Sequence, residues 1–141
     1  MNDSENLDLA SGISAFEAKS FTQALKLLMP LAERDETEAQ YRVAIMLQNG
    51  LGAVRNELQA YNWMKKAAQS GHALAQHGLG FMYMDGDCVE QNGARAVEWF
   101  SKAAEQGLAG SKTTLAMLYQ EGTLVDKDEA KAAQLLKEAG F

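Results

Sequence analysis

The chain has few of the residues that carry covalent or metal chemistry. Its 141 residues include one cysteine, Cys88, and two histidines, His72 and His77. A single cysteine excludes an intramolecular disulfide and fits a reducing compartment. No apolar run approaches the ~20 residues that span a bilayer. The opening stretch MNDSENLDLA is acidic and lacks the apolar segment of a signal peptide. Positive charge is also short: 13 Lys and Arg against 19 Asp and Glu leave a net charge of −6. Such a surface repels phosphate backbones, so nucleic acid is not an expected partner. Together these absences predict a cytoplasmic protein that engages neither nucleic acid nor membrane. What is present is apolar. At 47% the hydrophobic residues suffice for a core and argue against disorder, and the length fits one domain over residues 1–141.

The main signal is repetition, which is sought before anything else. WMKKAAQSGHALAQ begins at Trp63, and WFSKAAEQGLAGSK begins 36 residues later at Trp99. At that step Val43, Leu79 and Leu115 align, as do Gly50, Gly86 and Gly122. Asn56, Asn92 and Asp128 align as well, and so do Ala60, Ala96 and Ala132. The tryptophan register reads Trp63, Trp99, Leu135.

Each unit reads as two helices. Ala39, Val43, Met46 and Leu47 recur at helical spacing and share one face over residues 38–48. Gly50 ends that helix, because glycine enters the left-handed conformation without steric cost. Asn56, Asn92 and Asp128 are N-cap residues, whose side chains accept bonds from the first free N–H groups of the second helices. Ala60, Trp63, Met64, Ala67 and Ala68 form the next apolar stripe, with Trp63 and Trp99 expected to point inward and Gly71 and Gly107 closing the helices. Small residues at Ala44, Gly80 and Ala116 allow close helix crossing. Before residue 38 the pattern loosens into an opening helix pair with a turn at Ala18-Lys19-Ser20. The single proline, Pro30, should kink the second helix of that pair over residues 21–33. Residues 1–5 are expected to fray.

These units resemble the Sel-one-like repeat (SLR) family, a relative of the tetratricopeptide repeat. The family pattern A-x-A-x-x-x-L-G-x-x-Y-x-x-G-x-G-V, then D-x-x-x-A-x-x-W-x-x-K-A-A-x-x-G, appears here as AQHGLGFMYMDGDCV followed by NGARAVEWFSKAAEQG. The resemblance covers residues 37–141. It divides them into repeats at 37–72, 73–108 and 109–141, after a tetratricopeptide-like opening pair at 6–36. It departs at the second loop glycine, which survives as Gly52 but is Cys88 and Leu124 in the later repeats, and at Leu135. The resemblance implies an all-α, right-handed α-solenoid of about four antiparallel helix pairs. It further implies a scaffold for protein–protein interaction, of a kind often found in bacteria.

Candidates for chemistry have simpler explanations. His77, Asp85, Asp87 and Cys88 carry metal-type side chains, but their spacing matches no compact ligand set, and loop polarity accounts for them. Cys88 with His77 as base lacks an orienting group and an oxyanion hole. Gly50-Leu51-Gly52 lacks the spacing and lysine of a phosphate loop, and helix termination explains it. Lys65 and Lys66 read as a solvated helix face, His72 as a solvated turn residue, and the seven methionines mostly as core filler. The expectation is therefore no catalytic residue, no metal and no cofactor.

One face is unusual. With Val43 set toward the core, positions 38, 41, 45 and 48 point away from it, and on an ordinary amphipathic helix they would be charged. Here they are Glu38, Tyr41, Ile45 and Gln48, then Leu74, His77, Phe81 and Met84, then Gly110, Thr113, Met117 and Gln120. Either neighbouring helices cover these residues, or they line an apolar groove on the concave side of the solenoid. The second reading makes Tyr41, Ile45, His77, Phe81, Met84 and Met117 contacts for a peptide or partner protein. It makes Phe81 necessary for binding but not for folding. The protein is expected to be a monomer or weak homo-oligomer. The alternatives are a self-associating structural array, against which the polar last helix argues, and a hydrolase acting on cell-wall material or an antibiotic.

Overall fold

The computed structural model describes residues 2–141. Among them are eight α-helices and no strand. In order these are α1 (Asp3–Glu17), α2 (Phe21–Glu33), α3 (Thr37–Asn49), α4 (Glu57–Gln69), α5 (Ala73–Asp85), α6 (Gly93–Glu105), α7 (Ala109–Glu121) and α8 (Glu129–Glu138). Consecutive helices pack as pairs, α1 with α2, α3 with α4, α5 with α6 and α7 with α8. The chain divides into two compact units between His72 and Ala73, at a boundary of the 36-residue period.

The local signals work as their chemistry requires. Asn56 accepts from the N–H of Gln59, Asn92 from that of Arg95 and Asp128 from that of Lys131, each at 3.0 Å. Gly50 and Gly122 end α3 and α7 in the left-handed region, at φ 66° and 65°. Each N-cap residue does a second job that the pattern did not reveal. The backbone N–H of Asn56 donates to the Leu47 carbonyl at 2.9 Å, that of Asn92 to Tyr83 at 2.9 Å and that of Asp128 to Tyr119 at 3.0 Å. One residue thus starts the second helix and ties the loop back to the first.

The opening pair has its turn where expected, with Lys19 at φ 63° and the Ser20 N–H bonded to the Ala15 carbonyl at 2.8 Å. Helix α2 runs through Pro30 to Glu33, so the missing N–H falls in its last turn. Of the stretch expected to fray, Met1 lies outside the described residues; the rest is helical from Asp3, and the Asn2 side chain caps the Glu5 N–H at 2.8 Å.

In the first unit the core is built from Ala24, Leu28, Leu31 and Ala32 of α2, Ala39, Val43, Met46 and Leu47 of α3, and Ala60, Met64, Ala67 and Ala68 of α4. Gln40 is also fully buried and donates through Nε2 to the Ala32 carbonyl at 3.1 Å, near the end of α2. Gly52 lies at φ 75°, where a Cβ would meet the Phe21 carbonyl oxygen at 2.5 Å, so only glycine lets this loop reach the start of α2. In the second unit Phe100 is the largest fully buried side chain, and it seats against Gly80, where a Cβ would fall 2.8 Å from its ring. The expected tryptophan register needs correction. Trp99 is buried, but Trp63 is only half-buried, with Lys66 Nζ 5.6 Å from its ring centre. The most deeply inward register is the next one, Met64 and Phe100, because the stripe on these helices lies one residue further round.

Candidate functional site

The faces turned away from the core are half-covered, and each unit closes its own in a different way. In the first unit, helix α3 presents Glu38 and, one turn on, Tyr41 and Arg42. Glu38 Oε2 lies 2.6 Å from His72 Nε2, and Glu38 Oε1 accepts from Arg42 Nε at 2.9 Å. The Tyr41 ring stacks on the His72 imidazole, with centroids 4.7 Å apart and planes at 29°. The Arg42 guanidinium lies 4.9 Å from the centre of the Phe16 ring on α1. His72 is therefore not a solvated turn residue. It folds back over the start of α3, and its side chain keeps only 15% exposure. Sequence reasoning missed this because the pairing spans 34 residues, and no local pattern records it.

Electrostatics follow from that geometry. Burial pushes the Glu38 carboxyl up, but hydrogen bonds and charge from His72 and Arg42 outweigh it and hold the group below the usual carboxylate range. Burial, with a smaller contribution from the Glu38 charge, raises the Tyr41 phenol above its ordinary value. Ile45, one turn beyond Tyr41, is half-buried.

In the second unit His77 and Phe81 stand on α5 and lean on Phe100. The His77 ring lies edge-on to Phe81 at 4.8 Å and to Phe100 at 5.4 Å, and Phe81 meets Phe100 at 5.1 Å and 89°. His77 Nδ1 is 2.7 Å from the Ser111 hydroxyl of α7. Ser111 is fully buried, so this pair joins two helices and offers no nucleophile to solvent. Burial lowers the His77 pKa. The expectation that folding does not need Phe81 meets a packing contact. Contact with the central Phe100 makes Phe81 part of the packing, so it serves folding whatever else it does. Met84 is half-buried beside the same cluster. Met117 on α7 and Leu74 on α5 are the open apolar side chains of this face, at 40% and 46% exposure.

The side chains considered for metal chemistry do not gather: among the described residues no three of His, Cys, Asp or Glu converge on one point. Cys88 is half-buried with Sγ 3.8 Å from Asp87 Oδ1, and it takes φ 67°, the left-handed conformation that glycine provides at the matched position 52. No helix among the described residues is long and apolar enough to cross a membrane.

Helix pairs of fixed period, each closed by the same cap and the same loop bond, define an all-α repeat protein of the solenoid class. The chain belongs to the Sel1 repeat family, whose pattern matches residues 37–72, 73–108 and 114–140. Two solved structures are similar to it. One is c5321, a protective antigen present in uropathogenic Escherichia coli strains that displays an SLR fold. It is 34% identical, with a TM-score of 0.88, over 96% of this chain and 30% of that one. The other is a Sel1 repeat protein from Oxalobacter formigenes, 33% identical with a TM-score of 0.85, over 94% of this chain and 53% of that one. The chain thus spans about a third and about half of these proteins. No curated protein sequence matches it. Sel1 repeat proteins are generally scaffolds for protein–protein interaction and are typically non-catalytic.

Proposed function

We propose that the protein is a scaffold that binds another polypeptide through the faces of α3, α5 and α7 turned away from the core. Each unit presents its own contacts: Tyr41 and Ile45 from the first, and His77, Phe81, Met84 and Met117 from the second. The observation that supports this reading is the open apolar surface of Leu74 and Met117 beside half-buried aromatic rings, on a face that amphipathic helices normally fill with charge. His77 and Phe81 are held in place by Phe100 and Ser111. Their exposed edges therefore lose little freedom on binding, which favours affinity.

The test uses the open residues, because Phe81 also packs the core. Met117→Glu and Leu74→Glu each place a charge on solvent-facing positions, at little cost to folding. A partner's apolar side chain cannot bury such a charge without a desolvation penalty. The expected result is an unchanged melting curve with loss of a protein retained by the parent from its own cell lysate. Lys65→Glu on α4 should keep that protein. Retention of the same partner by the Leu74→Glu/Met117→Glu double variant would move the binding surface elsewhere.

A further inference from the structure

The third repeat departs from the first two at one register. Trp63 and Trp99 are followed at the same step by Leu135. Beside Leu135 a cleft of about 260 Å³ opens between α6, α7 and α8. Its apolar lining comes from Ala104, Leu115 and Leu135, and Tyr119, Lys112 and Lys131 stand beside them. Glu105 and Glu138 also border the cleft and balance the two lysines, so net charge does not select an anion. The volume falls below the roughly 300–1,000 Å³ usual for cofactor and drug-sized sites. It suits a single side chain.

The chain itself shows what these registers hold when they are filled. One repeat earlier, the positions of Leu115, Tyr119 and Leu135 are Leu79, Tyr83 and Trp99. There Trp99 is buried to 7% exposure, and Lys102 Nζ sits 4.5 Å from the centre of its ring. At the third repeat a shorter leucine stands at this register and the Lys102 position is Glu138, while Lys112 of α7 and Lys131 of α8 border the cleft with ammonium groups for the face of a ring. Lys131 already lies 5.2 Å from the centre of the Tyr119 ring.

We propose that this cleft receives a tryptophan side chain from a partner polypeptide, which supplies the indole that Leu135 does not. Indole is the largest apolar surface a single residue can bring, and it tolerates the polar border because its N–H can donate to a carboxylate there. The site shares no residue with the faces of α3, α5 and α7, so it stands or falls independently of them.

The experiment is a titration of the full chain, with leucine methyl groups labelled for NMR, by N-acetyl-L-tryptophanamide. N-acetyl-L-leucinamide and free tryptophan serve as comparisons. The expected result is saturable shifts of the Leu115 and Leu135 methyl signals, with the leucine amide binding at least tenfold more weakly. Leu135→Trp should fill the cleft from within, raise the melting temperature and weaken binding of the probe at least tenfold. Should that variant fail to fold, Ala104→Leu blocks the same space from α6. Absence of saturable shifts, equal binding of the leucine amide, or binding that survives the blocking substitution would overturn the proposal. Tighter binding of free tryptophan would make this a site for the amino acid and also overturn it. Self-association abolished by Leu135→Trp would put a second copy in the cleft, with the same consequence.

Discussion

Replacing Gly80 by alanine sets two effects of opposite sign against each other. In a helix interior the change is worth ~0.8–1 kcal/mol in favour of alanine, because glycine loses more backbone freedom on folding. At Gly80 the new Cβ would lie 2.8 Å from two carbons of the Phe100 ring and 3.0 Å from a third. That ring has no room to yield. It is fully buried and held edge-on by His77 and Phe81. Overpacking of this kind costs ~1–3 kcal/mol. The clash therefore wins by about 1 kcal/mol, or roughly 2–5 °C in melting temperature for a domain of this size. Gly110 is the control. It is also helical, but its added Cβ would meet the His77 ring at an ordinary 3.7 Å. Gly110→Ala should accordingly stabilise, by about 0.5 kcal/mol so near a helix start. Thermal and urea unfolding of the two variants, monitored by circular dichroism, should give opposite signs. If Gly80→Ala stabilises as much as Gly110→Ala, helix α6 is not packed through Phe100 as described.

Cys88→Gly should raise stability by about 0.5–1 kcal/mol, because the left-handed backbone at φ 67° costs an L-residue ~1–2 kcal/mol, partly offset by the greater unfolded-state freedom of glycine. Cys88→Val should lower it, and denaturant midpoints that rank the two the other way would contradict the loop geometry. The depressed pKa of His77 sets a pH dependence. Its stabilising contribution is complete above the unfolded-state pKa, where both states are neutral. It is lost as pH falls toward the folded value, because the unfolded chain takes up the proton first. The melting temperature should therefore drop between about pH 7 and about pH 5, and drop less in His77→Gln. Parallel curves for parent and variant would show that His77 is not held neutral by burial.

The sequence by itself determined the features that close within a few residues. The caps at Asn56, Asn92 and Asp128 act three residues along, and Gly50 and Gly122 end helices in place. The period of 36 counted the helix pairs, since each cycle of apolar spacing, glycine and cap is one local instruction repeated. The small residue at Gly80 was legible as a close crossing, though what crosses there was not. Only the tertiary structure decided which ring seats on Gly80. Trp99 and Phe100 are neighbours on one helix, and a rotation of about 100° between adjacent residues separates the flank of the core from its centre. It alone brought His72 onto Glu38 and His77 onto Ser111, both across 34 residues, and stacked Tyr41 on His72. It also divided the far face into covered rings and open methionine and leucine, and left a cleft where Leu135 replaces an indole. A side chain's fate on such a face depends on neighbours brought in from other helices. Their approach is fixed by packing volume, which no local pattern encodes.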